Sequence, residues 1–443
     1  MWSFRKSKSK EVTPTPPETK AASFLLNLGM GKFLANTAAN YDQLAEEGYA
    51  LNVVAYRCIN LIANAAASVD LQLYRRVGSD LDQIESHELL DLLARPNAAQ
   101  SGYEFRQWLA SFFLVGGNAY VMGNGMDPNR RDSRPTELQI LNPGKVKIEP
   151  AKSGFFPLRY EYRPSGNERL EYPVDQITGR SAVLHLKTFN PLSPWYGLSP
   201  IMAAAYDIDI FNSGQQWNKR LLDNNARPSG ALVVKDKKGH TANLTEEQYN
   251  RLQQQIEQQF SGQNNAGRPM LLEGGLDWTE MSLNPKDVDW LDGKHSAARD
   301  VALAFGVPPQ LIGIPGDATY NNFESAKLAL WTDTVLPLLC LMLAGLDRWL
   351  TPSFGEDLFL WYDEEMIPAL EPLRRQKSER IEKSSYLTIN EKRRAMGMDD
   401  QEGGNVILVP AGMVPLELVG AVDLSEPDSP ADNAIKPGDD DEE

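Results

Sequence analysis

The chain has 443 residues, of which 42% are hydrophobic and 23% are charged, a balance typical of globular proteins with about two or three domains. Its two cysteines, Cys58 and Cys340, are far apart in sequence, which excludes a disulfide framework and a cysteine-based metal site. The formal net charge is −16, which argues against a surface built to hold phosphates tightly.

Both ends of the chain are predicted to be weakly ordered. Residues 1–45 combine a basic start with a Pro/Thr-rich stretch, and we expect a flexible arm. No apolar stretch directly follows that start, so we expect no secretory signal. Residues 421–443 hold nine acidic residues and one lysine, a net charge of −8, and are expected to be a disordered acidic tail.

The first predicted helix begins at Val53 and is followed by a strand, LQLYRR, and by a short helix over His87–Ala94. A second helix is predicted after Ser101, because Ser101 and Glu104 form a capping-box pattern, and it ends at Gly116-Gly117. The apolar face of the first helix carries Val54, Cys58, Leu61, Ile62 and Ala65.

Several short strands separated by turn residues are predicted next, which makes the chain an α+β structure up to about residue 190. These strands are TELQIL, KVKIEP, LRYEYR and AVLHLK.

Two long helices are predicted to flank a small module. The first starts at Ser199-Pro200 and extends to residue 224, up to about 37 Å, and the second covers 285–305. The module between them is predicted to contain a strand, a helix capped by Thr245 and a second strand. The two strands are GALVVKD and RPMLLEG.

A Pro/Gly-rich loop, GVPPQLIGIPGDATYNNFESAK, follows the second long helix. Asn321 and Glu324 are predicted to cap the next helix, and Pro337 is expected to kink that helix. Its most apolar run, residues 335–346, is too short to span a bilayer, and we expect it to be buried.

The C-terminal part is predicted to contain a strand, LFLWYD, a charged helix over residues 367–383 and a last short helix within LTINEKRRAMGMDD. The acidic run Asp363–Glu365 could bind a divalent ion, but a solvated helix start is the favoured interpretation because carboxylates suit a helix N-terminus.

Catalytic and metal-binding patterns were sought and not found. The four histidines are not at metal-ligand spacing, and Asp91 occupies the position where a zincin motif starting at His87-Glu88 would need its second histidine. Residues 29–32 lack the spacing of a phosphate-binding P-loop. We therefore predict no catalytic residue, no cofactor and no metal.

The chain resembles the phage portal proteins of long-tailed phages, prophages and gene-transfer particles. The resemblance covers roughly residues 50–400, and its blocks occur in the order typical of the family. They are LNVVAYRCINLIANAAASVDLQLYRR, ARPN with GYEFRQWL, LVGGNAYV, WYGLSPIMAA, ARPSGAL, NAGRPMLLEGGLDW and AFGVPPQLIGIPGDATYNNFESAK.

The resemblance implies an α+β portal-type fold with an α+β wing, a two-helix stem, a small α/β clip, a kinked long helix and a short C-terminal helical crown. The expected boundaries are 46–198 for the first part of the wing, 199–225 and 285–306 for the stem helices, 226–284 for the clip, 307–320 for a tunnel loop, 321–383 for the kinked helix and wing return, and 384–420 for the crown.

The resemblance also implies two contact sites. An ordinary Pro/Gly connector is the alternative for the loop, and a solvated hairpin is the alternative for the charged turn of the clip. The expected DNA-channel residues are Ile312, Gly313, Ile314, Pro315, Gly316, Asp317, Ala318 and Thr319, and the expected clip contacts are Lys235, Asp236, Lys237 and Lys238.

The expected assembly is a ring of about twelve copies at one capsid vertex of a virion, put together in the host cytoplasm. Its implied partners are the major capsid protein, the terminase large subunit, head–tail connector proteins and double-stranded DNA that passes non-specifically, with no membrane. Two alternatives stay open at this point: a hydrolase-like enzyme with a Pro/Gly-rich lid, and a structural ring protein that does not contact DNA.

Overall fold

The protein, as a computed structural model, combines helices with small antiparallel sheets. The chain divides into two compact units, residues 1–369 and 370–443. The described residues are 41–78, 80–151, 155–165, 168–223, 230–234, 245–247, 249–251, 254, 276–280, 290–315 and 320–407. The flexible arm and the acidic tail that we predict lie outside them, apart from residues 41–45.

The helices of the first unit are α1 (Tyr41–Gln43, continued by a π-helical segment, Leu44–Ala50), α2 (Val53–Ala67), α3 (Glu88–Ala94), α4 (Gly102–Gly116), α5 (Pro200–Ala203), α6 (Ala205–Asp223), α7 (Trp290–Ala304), α8 (Tyr320–Leu330) and α9 (Leu336–Phe354). Short 3-10 segments cover Pro143–Lys145, Pro309–Leu311 and Pro368–Leu370.

The strands are β1 (Leu71–Val77), β2 (Asp80–Ile84), β3 (Asn118–Asn124), β4 (Glu137–Leu141), β5 (Val146–Glu149), β6 (Arg159–Tyr162), β7 (Leu170–Pro173), β8 (Val183–Lys187), β9 (Gly230–Val234), β10 (Leu276–Glu280) and β11 (Leu358–Tyr362). They form antiparallel sheets in the orders β11-β1-β2, β4-β3-β8, β5-β6-β7 and β10-β9.

The predicted strands are largely confirmed. The strand RPMLLEG lies outside the described residues, and β9 pairs with β10, which was not predicted. β2 and β7 were not predicted, because their side chains are mostly polar and exposed and show no apolar alternation.

The main helical core is built from α2, α4, α5, α6 and α7. α2 begins at Asn52, whose side-chain oxygen accepts hydrogen bonds from the backbone N–H groups of Val54 (3.1 Å) and Ala55 (2.9 Å). The buried face of α2 is wider than the predicted one. Two of the predicted residues, Leu61 and Ala65, are only half-buried and lie at its edge. The buried side chains of α2 are Val54, Ala55, Cys58, Ile59, Ile62, Ala63, Ala66 and Ala67.

The capping box at the start of α4 is confirmed. The Glu104 carboxylate accepts from the Ser101 backbone N–H (2.8 Å), while the Ser101 hydroxyl accepts from the Glu104 N–H (3.3 Å). The helix ends at Gly117, whose φ of +67° is the left-handed conformation that glycine adopts without strain, and β3 starts directly afterwards.

The first long helix is not continuous, as we had expected it to be. α5 ends at Ala203, and Ala204 (φ −94°, ψ 12°) leaves helical geometry for one residue before α6 begins. The 19 residues of α6 span about 28 Å, and the 15 residues of α7 about 22 Å. Residues 285–289 of the second predicted helix lie outside the described part.

The helix that follows the loop also differs from the prediction. It already includes Tyr320, so Asn321 is not its N-cap, and the Glu324 carboxylate pairs with the Lys327 ammonium instead (3.1 Å). A π-helical turn, Trp331–Val335, separates α8 from α9 just before Pro337. Since proline has no N–H to donate to the preceding turn, the irregularity appears as a widened turn ahead of the proline.

The continuous helix Asn322–Phe354 has 33 residues and is long and apolar enough to cross a membrane by length and composition. Residues 335–346 are only one part of this helix, which extends beyond them on both sides, and a core helix of a globular protein meets the same criteria of length and composition. α9 packs against β8 and β11. It buries Leu339, Met342, Leu343, Leu346 and Leu350.

The second unit contains α10 (Glu371–Glu382) and α11 (Ile389–Ala395). α11 starts with a capping box between Thr388 and Glu391. The predicted helices of this region are confirmed, while residues 408–420 of the expected crown lie outside the described part. Because α10 begins at Glu371, the acidic run Asp363–Glu365 is a turn after β11 and not the helix start that we favoured.

Candidate functional site

The two long helices α6 and α7 pack against each other in antiparallel orientation. The Lys294 ammonium lies 5.0 Å from the ring centre of Phe211, and Asp207 lies close enough to Asp300 for the second carboxylate to raise the pKa of the first. Positions early in α6 therefore lie beside positions late in α7. This pair is the segment that the sequence predicted as a stem.

Ile201, Ala204, Ile208 and Phe211 recur at the spacing of one apolar helix face, which would suit a neighbouring copy or the interior of the subunit equally well. In the structure each of them is at most 3% exposed and belongs to the main helical core. The contact with neighbouring copies, which the resemblance favoured, is therefore wrong for these four side chains. Helical spacing identified the stripe correctly but could not distinguish a contact within one subunit from a contact between subunits.

The loop after α7 begins with a rigid turn. Gly306 has a φ of +67°, its N–H donates to the Leu303 carbonyl (3.0 Å), and the Val307 N–H donates to the Ala302 carbonyl (2.9 Å). These two bonds form a Schellman motif, and Val307 is 2% exposed. The Gly306 carbonyl also accepts from the Thr334 hydroxyl (2.6 Å) in the π-helical turn, so the loop start is attached to the long helix.

The middle of the loop is anchored as well. Ile314 is 8% exposed and belongs to the main helical core, while Leu311 and Ile312 pack half-buried against that core. Burial makes Ile314 an anchor of the loop, so its side chain is not a surface for DNA. Gly313, with a φ of +79°, is the point where an added Cβ would meet no atom within 4 Å.

The structure thus brings Ile312, Gly313, Ile314 and Pro315 together at the end of the stem. The other expected channel residues (Gly316, Asp317, Ala318 and Thr319) and the expected clip contacts (Lys235, Asp236, Lys237 and Lys238) lie outside the described residues. Their assignment stays a prediction, as does the channel role of the described part of the loop.

The base of the stem is held by two glycine-containing segments that cross each other. An added Cβ at Gly197 would lie 2.0 Å from the Gly117 carbonyl oxygen, and one at Gly117 would lie 2.5 Å from the Leu198 carbonyl carbon. The Asn118 side chain joins them, since its oxygen accepts from the Gly197 N–H (2.7 Å). The Ser199 hydroxyl donates to the Val115 carbonyl (2.5 Å) and accepts from the Ile201 N–H (3.1 Å).

The sequence showed Gly116-Gly117 as a helix end and Ser199 as a helix cap, but no local signal indicated that the two segments touch. Only the resemblance, which contains both LVGGNAYV and WYGLSP, could have suggested a shared structural role.

Two acidic groups on or beside α6 lie in partly desolvated positions. Burial, followed by the nearby Asp300, raises the pKa of Asp207. Burial also raises the pKa of Glu47, which lies in the π-helical segment after α1, with a smaller contribution from Asp209 of α6.

An enzymatic alternative finds little support in the described residues. A cavity of about 790 Å³ lies between β8, the β5-β6-β7 sheet and α9, and His185 lines it. Burial lowers the pKa of His185 to about 3, and its ring stacks on Tyr120 with a centroid distance of 4.4 Å. Burial raises the pKa of the Cys58 thiol to about 12, which removes it as a nucleophile at neutral pH.

No group of three or more His, Cys, Asp or Glu side chains suited to a metal ion occurs within the described part of the chain.

Comparison with known proteins decides the family. The model of the phage portal protein family matches residues 53–397. The chain belongs to the phage portal protein family. The portal protein of Enterobacteria phage HK97 is 25% identical, over 82% of this chain and 83% of that protein.

Two solved portal-type structures are similar to the chain. A chain from the neck of a native GTA particle, computed with C12 symmetry, is 40% identical, with 82% of this chain and 94% of that chain covered and a TM-score of 0.61. An HK97 family phage portal protein from Corynebacterium diphtheriae is 18% identical, with 70% and 92% covered and a TM-score of 0.50, and it shares the fold. The predicted α+β portal fold is therefore confirmed, and the chain has the head–tail connector role of a portal.

Proposed function

We propose that the chain forms a closed ring of about twelve copies at one capsid vertex, through which double-stranded DNA is packaged and later ejected. The observation that carries the proposal is the 40% identity, over 82% of the chain, to a chain from a particle neck computed with C12 symmetry. The ring is part of a virion or gene-transfer particle, assembled in the host cytoplasm, and contacts the major capsid protein around its wing.

Each part of the chain has a mechanical role in this proposal, with no catalytic step, cofactor or metal. Residues 199–225 and 285–306 form the stem, and residues 307–320 line the channel. The clip, residues 226–284, docks the terminase large subunit and then the head–tail connector proteins through Lys235, Asp236, Lys237 and Lys238.

The anchoring of the loop supports its proposed role in lining the channel. Val307 and Ile314 are buried, so the loop keeps its place at the channel wall while the residues after Ile314 meet the passing DNA. An acidic chain suits this task, because phosphates held by many Lys and Arg side chains would be released slowly.

Electron microscopy of the purified full chain tests the ring. We expect closed rings with a central hole. Stable monomers at micromolar concentration and physiological salt would overturn the proposal.

The loop assignment has its own test, the substitution Asp317→Lys. We expect DNA packaging to slow more at low salt than at high salt, because added phosphate attraction is screened by salt. Glu85→Lys, the same charge change at an exposed position after β2, is the control and should package at the parental rate. If both variants package normally at low ionic strength, the loop does not lie near the DNA.

A further inference from the structure

The cavity between β8, the β5-β6-β7 sheet and α9 has the dimensions of a ligand-binding pocket. Its volume of about 790 Å³ lies within the range of about 300–1,000 Å³ that such pockets cover. Aromatic side chains form part of its wall, as in many sites that bind small molecules or peptides. They include Phe156, Tyr160, Trp195 and Trp349.

The cavity is positively charged, although the chain as a whole carries a net charge of −16. Among the described residues that line it, the one acidic side chain is Asp175. Its carboxylate accepts from the backbone N–H groups of Ile177 (3.0 Å) and Thr178 (3.3 Å) in the same turn. Four cationic side chains also line the cavity, namely Arg131, Arg180, Lys187 and Arg348. The cavity therefore attracts anions.

Arg348 is the cation that the subunit leaves available. The other three are held by groups of the same subunit: Arg131 by Glu356 (3.1 Å), Arg180 by the Ser353 hydroxyl (3.3 Å) and Lys187 by the Pro194 carbonyl. Arg348 has no hydrogen bond or ion pair with any residue that the structure describes. Burial raises the pKa of Tyr160 and Arg348 opposes that rise, so the guanidinium lies beside the aromatic wall. It can accommodate a carboxylate from outside in two parallel hydrogen bonds.

His185 offers a hydrogen-bond acceptor in the same cavity. The Asn118 amide is fixed, since its nitrogen donates to the Gly116 carbonyl (2.8 Å) and its oxygen accepts from the Gly197 N–H (2.7 Å). The Asn118 oxygen can only accept, so His185 Nε2 carries the proton of the bond between them (3.0 Å). Burial lowers the pKa of His185 to about 3, so its Nδ1 stays unprotonated at neutral pH. Within the described part of the chain, Nδ1 has no hydrogen-bond donor.

Two almost fully exposed apolar side chains lie at the mouth of the cavity. Phe155 is 98% exposed and lines the cavity, and Ile177 is 90% exposed in the turn that carries Asp175. The Gln176 amide donates to the Pro157 carbonyl (2.8 Å), which joins this turn to the segment of Phe155. The apolar contact area thus extends beyond the cavity, as expected of a surface that binds another macromolecule.

We propose that this cavity binds an acidic peptide segment of a partner protein, with a carboxylate on Arg348 and a neighbouring apolar side chain against the aromatic wall. A backbone N–H of the segment donates to His185 Nδ1. Further apolar side chains of the segment cover Phe155 and Ile177 at the mouth. The inference goes beyond the proposed function, since neither the ring nor the DNA channel assigns a role to this cavity.

A peptide fits this set of groups better than nucleic acid does. A phosphodiester backbone has acceptors but no donor, so it can bind Arg348 but leaves His185 Nδ1 without a partner. A double helix is also held by many Lys and Arg side chains along its phosphates, and here three of the four cations are already held within the subunit. A peptide supplies N–H donors from its backbone and carboxylates from Asp or Glu.

Subtractive selection from a random heptapeptide library tests the proposal. The library is first depleted on the full chain with Arg348→Glu and is then selected on the parent chain, which removes peptides that bind other basic regions. We expect enriched sequences that combine Asp or Glu with Leu, Phe or Trp, because these satisfy the guanidinium and the aromatic wall together. Enrichment of no sequence, or of sequences without an acidic residue, would overturn the proposal.

The affinity of the most enriched peptide, made synthetically, tests the charge contact. We expect Arg348→Glu to weaken binding roughly tenfold or more, since the charge that holds the carboxylate is reversed. Arg75→Glu, the same change at an exposed position of β1 outside the cavity, should bind as the parent does. Equal weakening by both variants would mean that only the net charge matters and would contradict the site.

Phe155→Ser tests the mouth of the cavity without changing the core. The side chain is 98% exposed, so we expect unchanged stability and binding of the peptide weakened roughly fivefold. Tyr386→Ser, at a position 77% exposed in the second unit, is the control and should keep the parental affinity. Equal affinities of these two variants would contradict a contact at the mouth.

Two further measurements detect a different occupant. If a double-stranded oligonucleotide displaces the peptide from the parent chain, phosphate binds at the site. If Arg348→Glu forms no rings in electron microscopy while the parent does, a second copy fills the cavity. We expect neither result, and either one overturns the inference while the portal function stands. If the parent itself forms no rings, the proposed function falls, and the peptide affinities still decide the inference.

Discussion

Gly197 at the base of the stem and Gly313 in the loop have opposite reasons for being glycine. An added Cβ on Gly197 would lie 2.0 Å from the Gly117 carbonyl oxygen, so there is no room for a side chain. Gly313 has open space around it but a φ of +79°. Gly197 excludes a side chain by contact, whereas Gly313 provides a backbone shape.

This difference separates a tightly packed crossing from a turn with space around it. Two crossing backbones joined by Asn118 leave no room for a side chain at the base, where the stem joins the sheet of β3. At Gly313 an added Cβ would meet no atom within 4 Å, although Ile314 beside it is buried in the core.

The largest effect is expected from Gly197→Ala. The added methyl group collides with backbone, which cannot move aside as a side chain can, and we expect a loss of about 3 kcal/mol or more in the free energy of unfolding. Chemical denaturation of the purified protein measures it. A free energy within about 0.5 kcal/mol of the parent would show that the crossing is loose.

Gly306→Ala should have an intermediate effect, because this glycine combines both reasons. Its φ is +67°, and an added Cβ would lie 2.7 Å from the Thr334 hydroxyl oxygen. We expect a cost of about 2 kcal/mol, from left-handed strain and a lost hydrogen bond.

A double-mutant cycle with Thr334→Ala separates the two contributions. In that background Gly306→Ala should cost only about 1 kcal/mol, since the clash is gone and the backbone strain remains. Additive effects of the two substitutions would mean that Gly306 and Thr334 do not interact.

Gly313→Ala should be milder, with a cost of about 1 kcal/mol from the left-handed backbone alone. Gly313→Asn should recover part of it, because asparagine tolerates this conformation better than alanine does. Ring assembly should be unchanged in both variants. A loss as large as that of Gly197→Ala would place Gly313 in a packed contact and remove the contrast between the two regions.

The smallest effect is expected from the Asp207 carboxylate in α6, and it concerns how the free energy of unfolding depends on pH. Burial and then Asp300 raise the pKa of Asp207, so the folded chain binds more protons than the unfolded chain just above the ordinary carboxyl pKa. The stability of the parent relative to Asp207→Asn should therefore fall as the pH rises through that window towards neutral. Unfolding curves of both proteins at several pH values measure the difference, and a constant difference would contradict the shift.

Local sequence patterns correctly predicted features whose interacting residues lie within one helical turn of each other. The capping box of Ser101 and Glu104 is confirmed for that reason, and the end of α4 at Gly117 is a property of the chain around it. The cap proposed at Asn321 was wrong because the helix begins earlier, at Tyr320, and capping residues also occur inside helices.

Features that depend on distant contacts could not be predicted. Helical spacing groups Ile208 with the apolar stripe of α6, but only the folded chain shows that this stripe packs within the subunit. The crossing of Gly117 and Gly197 joins segments 80 residues apart. Neither position has a periodic signal of its own.

The hydrogen bond from Thr334 to the Gly306 carbonyl links the start of the loop to the long helix. Thr334 lies in a π-helical turn, which holds one residue more between its bonded groups than an α-helical turn does. If that extra residue shifts by one position, Thr334 rotates about 100° around the helix axis, and its hydroxyl leaves the Gly306 carbonyl. Such a shift would remove one contact at the loop start, while the buried side chains of Val307 and Ile314 would still anchor the loop.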